Sequence, residues 1–353
     1  MQLRNRDMKN SIFKIAVLSL FIASNAYGQD IHFSAVDYSP MTINPSLVGA
    51  KYDLQATVNY RNQWSSVGAP FQTIAAGYDM RFGDLRRNKK GYLAAGINFN
   101  NDAAGKNKIE SNNIGLSVAY HLKLNNENKI GLGIQGAWGQ RSMSVVDGKW
   151  GNQYNGFAYD SELPSGEVFN NTSFSYVDMG AGLVYSYESK QQTTKNNNGT
   201  RVNIGLAAYH LNRPSVSFIK SNNDKLYIRT SAFAMAEIGL GNTRMAVEPQ
   251  LFMQFQGPAM ETIFGADYRF FLGKGESYSG HYKGTSLAVG LFIRNQDALI
   301  SRFSLRLWEF DLGMVYDFNI LSSLKRVSNS KGGVEVFLRY ILNKSIIKNR
   351  SKI

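Results

Sequence analysis

The chain has 353 residues, 43% hydrophobic, 12% aromatic and only 18% charged, with 33 Gly, 7 Pro and no Cys. The missing cysteines exclude a disulfide scaffold, Cys-ligated metal and thiol catalysis. A mean hydropathy of -0.27, with no long apolar run past the N-terminal stretch, excludes a bilayer-spanning helix in the remainder. The net charge of +13 is spread over single arginines rather than gathered into a patch, which argues against a nucleic-acid partner.

The N-terminus carries Arg4, Arg6, Lys9 and Lys14 ahead of an apolar stretch over residues 15–23 and the small residues Ala26 and Gly28. This order predicts a secretory signal peptide over residues 1–28, cleaved after Gly28 or nearly as well after Ala26. An uncleaved anchor is disfavoured by the shortness of the apolar run. Cleavage after Gly28 removes four basic residues and one acid, so +13 falls to +10. Residues 29–51 follow without clean alternation but with His32, Phe33, Tyr38, Pro40, Asn44 and Pro45. They are expected to lie in or beneath the domain that follows, as a periplasmic or lumen-associated segment.

From Tyr52 onward apolar residues alternate with polar or small ones, the pattern of strands whose successive side chains point to opposite faces. Tyr52, Leu54, Ala56, Val58 and Tyr60 share a face, opposite Asp53, Gln55, Thr57, Asn59, Arg61 and Gln63. Similar apolar faces start at Ile74, Leu93, Ile114, Ile130, Val177 and Val202, and later at Met245, Phe264, Leu287, Phe303, Phe310 and Val334. Residues 226–240 fit either phase poorly. A phase switch beside Trp308 and Glu309 marks a tight turn.

About 14 strands over residues 52–342, uncertain by two, predict an all-β fold, a transmembrane antiparallel β-barrel. Many segments approach the length that a tilted strand needs to cross a bilayer. A soluble β-sandwich, with shorter strands and a single shared core, fits less well. Arg61, Arg81, Arg141, Arg201, Arg244, Arg269, Arg294, Arg302, Arg306 and Arg339 fall on the non-apolar face, as do Asp53, Asp79, Asp178, Glu248, Asp267, Asp311, Asp317 and Glu335. Lipid does not tolerate such residues, whereas a polar lumen cross-linked by ion pairs does. An even strand count places both termini on one side, expected to be periplasmic.

The longest outward connection, residues 145–172, contains Trp150, Tyr154, Phe157, Tyr159 and Phe169. It is read either as a lumen constriction or partner-contact loop or as a self-packed surface loop. The tail, residues 343–353, holds Lys344, Lys348, Arg350 and Lys352, and reads as a solvated extension or a periplasmic docking tail. Gly131, Gly133 and Gly136 match a dinucleotide fingerprint, but they lie inside a strand rather than between a strand and a helix. His32, His121, His210 and His281 show no metal-binding spacing, and no nucleophile elbow is present. No cofactor, metal or enzymatic activity is expected.

An ordered set of local motifs resembles the PorP/SprF family of outer-membrane proteins of type IX secretion and gliding systems. At the start stand Asp30-Ile31-His32-Phe33-Ser34, Asn44-Pro45-Ser46-Leu47-Val48-Gly49 and Tyr60-Arg61-Asn62-Gln63-Trp64. Ala119-Tyr120-His121-Leu122, Asp178-Met179-Gly180-Ala181-Gly182 and His210-Leu211-Asn212-Arg213-Pro214 follow. Tyr316-Asp317-Phe318-Asn319 and Gly332-Gly333-Val334-Glu335-Val336 close the set. The resemblance implies a barrel in the outer membrane of a Gram-negative, Bacteroidetes-like bacterium. There it would support secretion or surface display of cargo with C-terminal targeting domains, gliding adhesins among them. Implied partners are the periplasmic ring, outer-membrane translocon components, the cargo and outer-membrane lipid. Carried onto this chain, Asn44, Pro45, Gly49, Tyr60, Arg61, Gln63, Trp64, His210, Pro214, Asp317, Gly333 and Glu335 form the family signature, with Arg61 and Gln63 in the lumen and Trp64 at the outer interface. The alternative from the residues alone is a porin-like or substrate-specific transporter, which calls for a lumen free of plugging segments.

Overall fold

The computed structural model describes residues 30–342 except 66–69, 83–89, 106–108, 145–148, 167–171, 190–198, 219–223, 242, 273–284 and 323–324. The signal peptide, Phe169 and the basic tail lie outside the described residues. Fourteen antiparallel strands form a closed barrel in sequence order, sealed by pairing of the first with the last. They are β1 (Leu54–Gln63), β2 (Phe71–Phe82), β3 (Gly91–Ala104), β4 (Ile109–Lys123), β5 (Asn128–Ser142), β6 (Ser173–Glu188) and β7 (Thr200–Tyr209). The circuit continues through β8 (Arg229–Gly239), β9 (Met245–Gln256), β10 (Ala259–Phe271), β11 (Ser286–Arg294), β12 (Ala298–Leu307), β13 (Phe310–Phe318) and β14 (Lys331–Leu342). The remaining regular pieces are single turns, α1 (Pro40–Ile43) and α2 (Lys325–Ser328), with 3-10 turns at Val36–Tyr38, Pro45–Leu47 and Gly151–Gln153. No described helix is long and apolar enough to cross a membrane.

Alternation sets the two faces of the wall. On β5, Leu132 and Ile134 are 64% and 67% exposed, whereas Gln135 between Ile134 and Gly136 is buried. The outward apolar band meets lipid without unpaired backbone, because closure leaves no sheet edge around the belt. The phase switch at Trp308 is a two-residue turn between β12 and β13 with Trp308 at φ +53°. Residues 226–240 resist the pattern because the inward face of β8 mixes polar and large apolar residues: Phe233 and Met235 point inward with Arg229 and Ser231, while Ala232 and Ala234 face out. Tyr52 and Asp53 precede β1, and Tyr52 is buried rather than part of the outward face.

The end where β1 begins and β14 stops, with Leu54 opposite Leu342, is called the base, and the other end the crown. Residues 30–53 run through the lumen between them. Val36, Tyr38 and Ile43 pack there with inward Val184, Phe233, Phe252, Ile263, Phe292, Ile300, Val315 and Phe337 in one apolar core. Large inward phenylalanines have no place in a water-filled pore. Covered by the luminal segment, each gains roughly 1.5–3 kcal/mol relative to exposure.

The luminal segment also spans the barrel from end to end. An even strand count returns β1 and β14 to one end, but the chain ahead of β1 crosses the lumen. Its first described residue, Asp30, touches Gln256 at the crown end of β9 and His210 just past the crown end of β7.

Candidate functional site

The filled lumen is where the chain concentrates its buried polar groups, and the luminal segment contacts them strand by strand. At the crown, Asp30 accepts from His210 Nε2 at 2.6 Å, lies 3.4 Å from Arg229 Nε and exchanges hydrogen bonds with Gln256. His210 stands at φ +56°, which turns its ring inward between two carboxylates. Its Nδ1 lies 2.9 Å from Asp178 Oδ2, in ion-pair contact. Burial alone pushes the imidazole down, but Asp30, by charge and hydrogen bond, and Asp178 raise its pKa to about 9. Burial pushes the Asp30 carboxyl up, and His210 and Arg229 more than reverse this, holding it well below the usual carboxylate range.

One layer down, Asp317 takes hydrogen bonds from Arg61 and Arg294, each at 3.0 Å, and from the Ser34 hydroxyl at 2.8 Å. Glu335 accepts the Ser34 and Ala35 backbone amides at 2.7 and 3.2 Å. Arg61 also donates to the His32 carbonyl at 2.5 Å. The half-buried His32 ring stands with its Nε2 3.9 Å from Glu261 Oε1. Below this layer Arg302 joins Asp267 of the wall to Asp37 of the segment, the latter at 2.6 Å. The Arg339 guanidinium lies 3.8 Å from the centre of the Tyr38 ring.

The Asn-Pro-Ser stretch is seated against glycines. Asn44 caps the Pro45–Leu47 turn by accepting from Ser46, and its amide donates to the Leu183 and Leu206 carbonyls at 3.0 Å each. A Cβ on Gly182 would stand 2.0 Å from Asn44 Oδ1, and one on Gly133 2.4 Å from Ser46 N. Gly133 of β5 and Gly182 of β6 therefore form the floor on which the turn rests, while Gly131 of the fingerprint-like stretch makes room for the His121 ring and Val184.

At the base, His121 meets the Val48 carbonyl at 2.8 Å, Tyr92 donates to the Gly49 carbonyl, Arg81 donates to the Gly49 and Ala50 carbonyls, and Asp79 accepts the Gly49 amide. Gly49 sits at φ +63° with its Cα against Ala94, so only glycine fits. A cavity of about 60 Å³ remains against β8 and β9, lined by Lys51, Tyr52, Glu237, Gln250 and Arg339 among others. It has room for about two waters.

The structure thus places Asn44, Pro45, Gly49, Arg61, His210, Asp317 and Glu335 at contacts between the luminal segment and its surroundings. Tyr60 faces outward at 39% exposure. Gln63 ends β1 opposite Gly333, and Trp64, at φ +58°, packs edge-on against Phe71 at the crown. Pro214 offers its carbonyl to Leu226 within the β7–β8 connection. Arg302 (through Asp37), Asn59, Tyr209 and Ser231 also bind the segment. The sequence reading put Arg302 and Asn59 on the inward face without this partner, and Tyr209 and Ser231 escaped it, although large apolar residues on a polar face, such as Phe233 and Phe252, were a signal that something covers them.

Outside the lumen, the described part of the long connection folds on itself. Tyr154 bridges Tyr159, the Asn155 amide donates to the Ala158 carbonyl, and Trp150 starts the 3-10 turn. Phe157 stands at the tip, 96% exposed. Among the described residues no group of His, Cys, Asp or Glu is placed to hold a metal ion.

Comparison with known proteins gives one family model, "Type IX secretion system membrane protein PorP/SprF", matched over residues 25–340. No curated protein matches the chain. Among solved structures it is similar to the toluene transporter TbuX of Ralstonia pickettii, at 10% identity and TM-score 0.46, covering 90% of this chain and 96% of that one. It is also similar to BamA of Haemophilus ducreyi lacking POTRA domains 1–3, at 9% identity and TM-score 0.41, covering 83% and 71%.

Proposed function

The chain belongs to the PorP/SprF family of type IX secretion system membrane proteins, and from that premise we propose that this outer-membrane barrel supports secretion or surface display of cargo with C-terminal targeting domains. In this reading the barrel is an accessory that binds and presents rather than a channel that conducts. The observation that carries it is the family match over nearly the whole chain. The packed lumen supports it, because cargo has no path through a barrel whose interior holds residues 30–53. The base faces the periplasmic ring and the crown faces outward, where the exposed aromatic tip at Phe157 contacts cargo or translocon.

A porin-like transporter requires an open lumen, and the apolar core around Val36 and Ile43 speaks against it. The test is deletion of the gene in its host, followed by mass spectrometry of released and surface-displayed proteins. Loss of one or a few proteins with C-terminal targeting domains marks a cargo-specific accessory, and loss of all of them marks a core component. An unchanged secretome overturns the proposal.

A further inference from the structure

We propose that the chain ahead of Asp30 leaves the barrel at the crown, so that the mature N-terminus is displayed on the side opposite the β4–β5 turn and the end of β14. Three observations carry this. First, every contact of Asp30 lies at crown ends of strands: Gln256 closes β9, Arg229 opens β8, and His210 follows β7. Second, successive layers descend from there, through Ser34 on Asp317 and Glu335, to Gly49 and Ala50 on Arg81 near the base end of β2. Third, the segment is tightly enclosed along its path: Ser34, Ala35, Val36 and Tyr38 are all buried.

The clamp on Asp30 is a built carboxylate site. Imidazole, guanidinium and carboxamide donors converge on one side chain, and Asp178 holds the far nitrogen of the imidazole. Charge-assisted hydrogen bonds of this kind fix position as well as supply energy. A segment so pinned at one end and joined to β1 at the other is a strap across the lumen. Anything attached ahead of it, whether residues left by signal cleavage or a partner that grips them, is carried on the crown face beside the long aromatic connection. A partner of the mature N-terminus therefore meets it on the crown side only.

The absence of cysteine makes a direct test possible. A Gly-Cys-Gly insertion between Gln29 and Asp30 is compared with two single-cysteine reporters in the full chain: Lys325→Cys, exposed in α2 at the crown, and Asn126→Cys, exposed in the β4–β5 turn at the base. Each is treated with a membrane-impermeant maleimide on intact cells and again after outer-membrane permeabilisation. The expected result is that the insertion labels together with Lys325→Cys and unlike Asn126→Cys. Labelling that follows Asn126→Cys overturns the inference, as does failure to label under either condition while Lys325→Cys labels. If the insertion prevents folding, read as loss of heat-dependent gel migration, a short hydrophilic epitope at the same point read by antibody replaces it. A barrel inserted upside down would exchange the two reporters and so strike at the proposed function, while the pairing of the insertion with Lys325→Cys would stand.

Discussion

Gly133 and Ser46 approach so closely that a Cβ on the glycine would lie 2.4 Å from the serine amide nitrogen and 2.6 Å from its Cα. The obstructing atoms are backbone, held by the Asn44 cap and the carbonyls of Leu183 and Leu206. A side chain at 133 cannot be absorbed by a rotamer change. Gly133→Val is expected to displace the 45–47 turn at a cost of at least the roughly 1–3 kcal/mol usual for overpacking. Its companion Gly136→Val, outward and with nothing within 4 Å, leaves the lumen undisturbed. In planar bilayers the wild type and Gly136→Val should stay closed while Gly133→Val shows conductance. Equal conductance of all three would remove the turn from any sealing role.

Arg302 tests the ionic layer. It is 4% exposed and shared between Asp267 and Asp37. Arg302→Met preserves much of the volume but leaves Asp267 without its partner and Asp37 with Arg339 alone, at 3.6 Å. Breaking a buried pair from one side costs about 3–5 kcal/mol. Thermal unfolding in detergent should show a clear fall for Arg302→Met and partial recovery when Asp267→Asn is added. A double variant no better than the single one would mean that the arginine acts through packing against Phe292 and Tyr38 rather than through charge.

The wall was far more legible in the sequence than its filling. Alternation from Leu54 to Leu342 reports which side chains meet lipid, because that boundary is continuous and each strand reads it independently. Residues 30–53 meet a different part of the wall at nearly every position: Asn44 answers carbonyls 139 and 162 residues away, and Ser34 a carboxylate 283 away. No period arises from such contacts. The signature residues were visible as motifs, but their partners were not, since Asp317 and Glu335 look equally like wall-to-wall ion pairs. Strand β8 was hard to phase for the same reason. Phe233 is turned inward by the luminal core, and a reader expecting a wet lumen places it outside.

His210 links the clamp to pH. Its pKa is raised above the ordinary 6.5 to about 9, so the imidazolium is preferred in the folded state. The stabilisation is fully present below pH 6.5, declines as the pH rises and is lost as it passes about 9. At 1.36 kcal/mol per unit this is on the order of 3 kcal/mol. Asn tolerates the left-handed backbone at this position, so His210→Asn removes the charge without imposing a new conformation. The wild type should lose thermal stability between pH 6.5 and 9 by more than the variant does. Parallel curves would show that the Asp30 and Asp178 carboxylates do not hold the imidazole in its protonated form.

The long connection offers the sharpest separation of fold from function. Its described part is closed by its own hydrogen bonds, and the Met143 amide bonds the Thr172 carbonyl at 2.8 Å where it leaves the wall. The contacts of the luminal segment described above all lie outside residues 145–172, so replacing this connection by a short Gly-Ser linker keeps every one of them. The barrel should keep its heat-dependent gel migration and melt within a few degrees of wild type. If the aromatic tip is where cargo or translocon docks, surface display of the cargo should disappear. Phe157→Ser, which removes a 96% exposed ring and little else, should weaken display without affecting the melt. Burial of one such ring in an interface contributes about 1.5–3 kcal/mol, so a loss of roughly tenfold or more in binding is expected. Normal display after excision would leave the loop as a self-packed cover and shift the contact surface to the shorter crown connections around Leu211 and Tyr227.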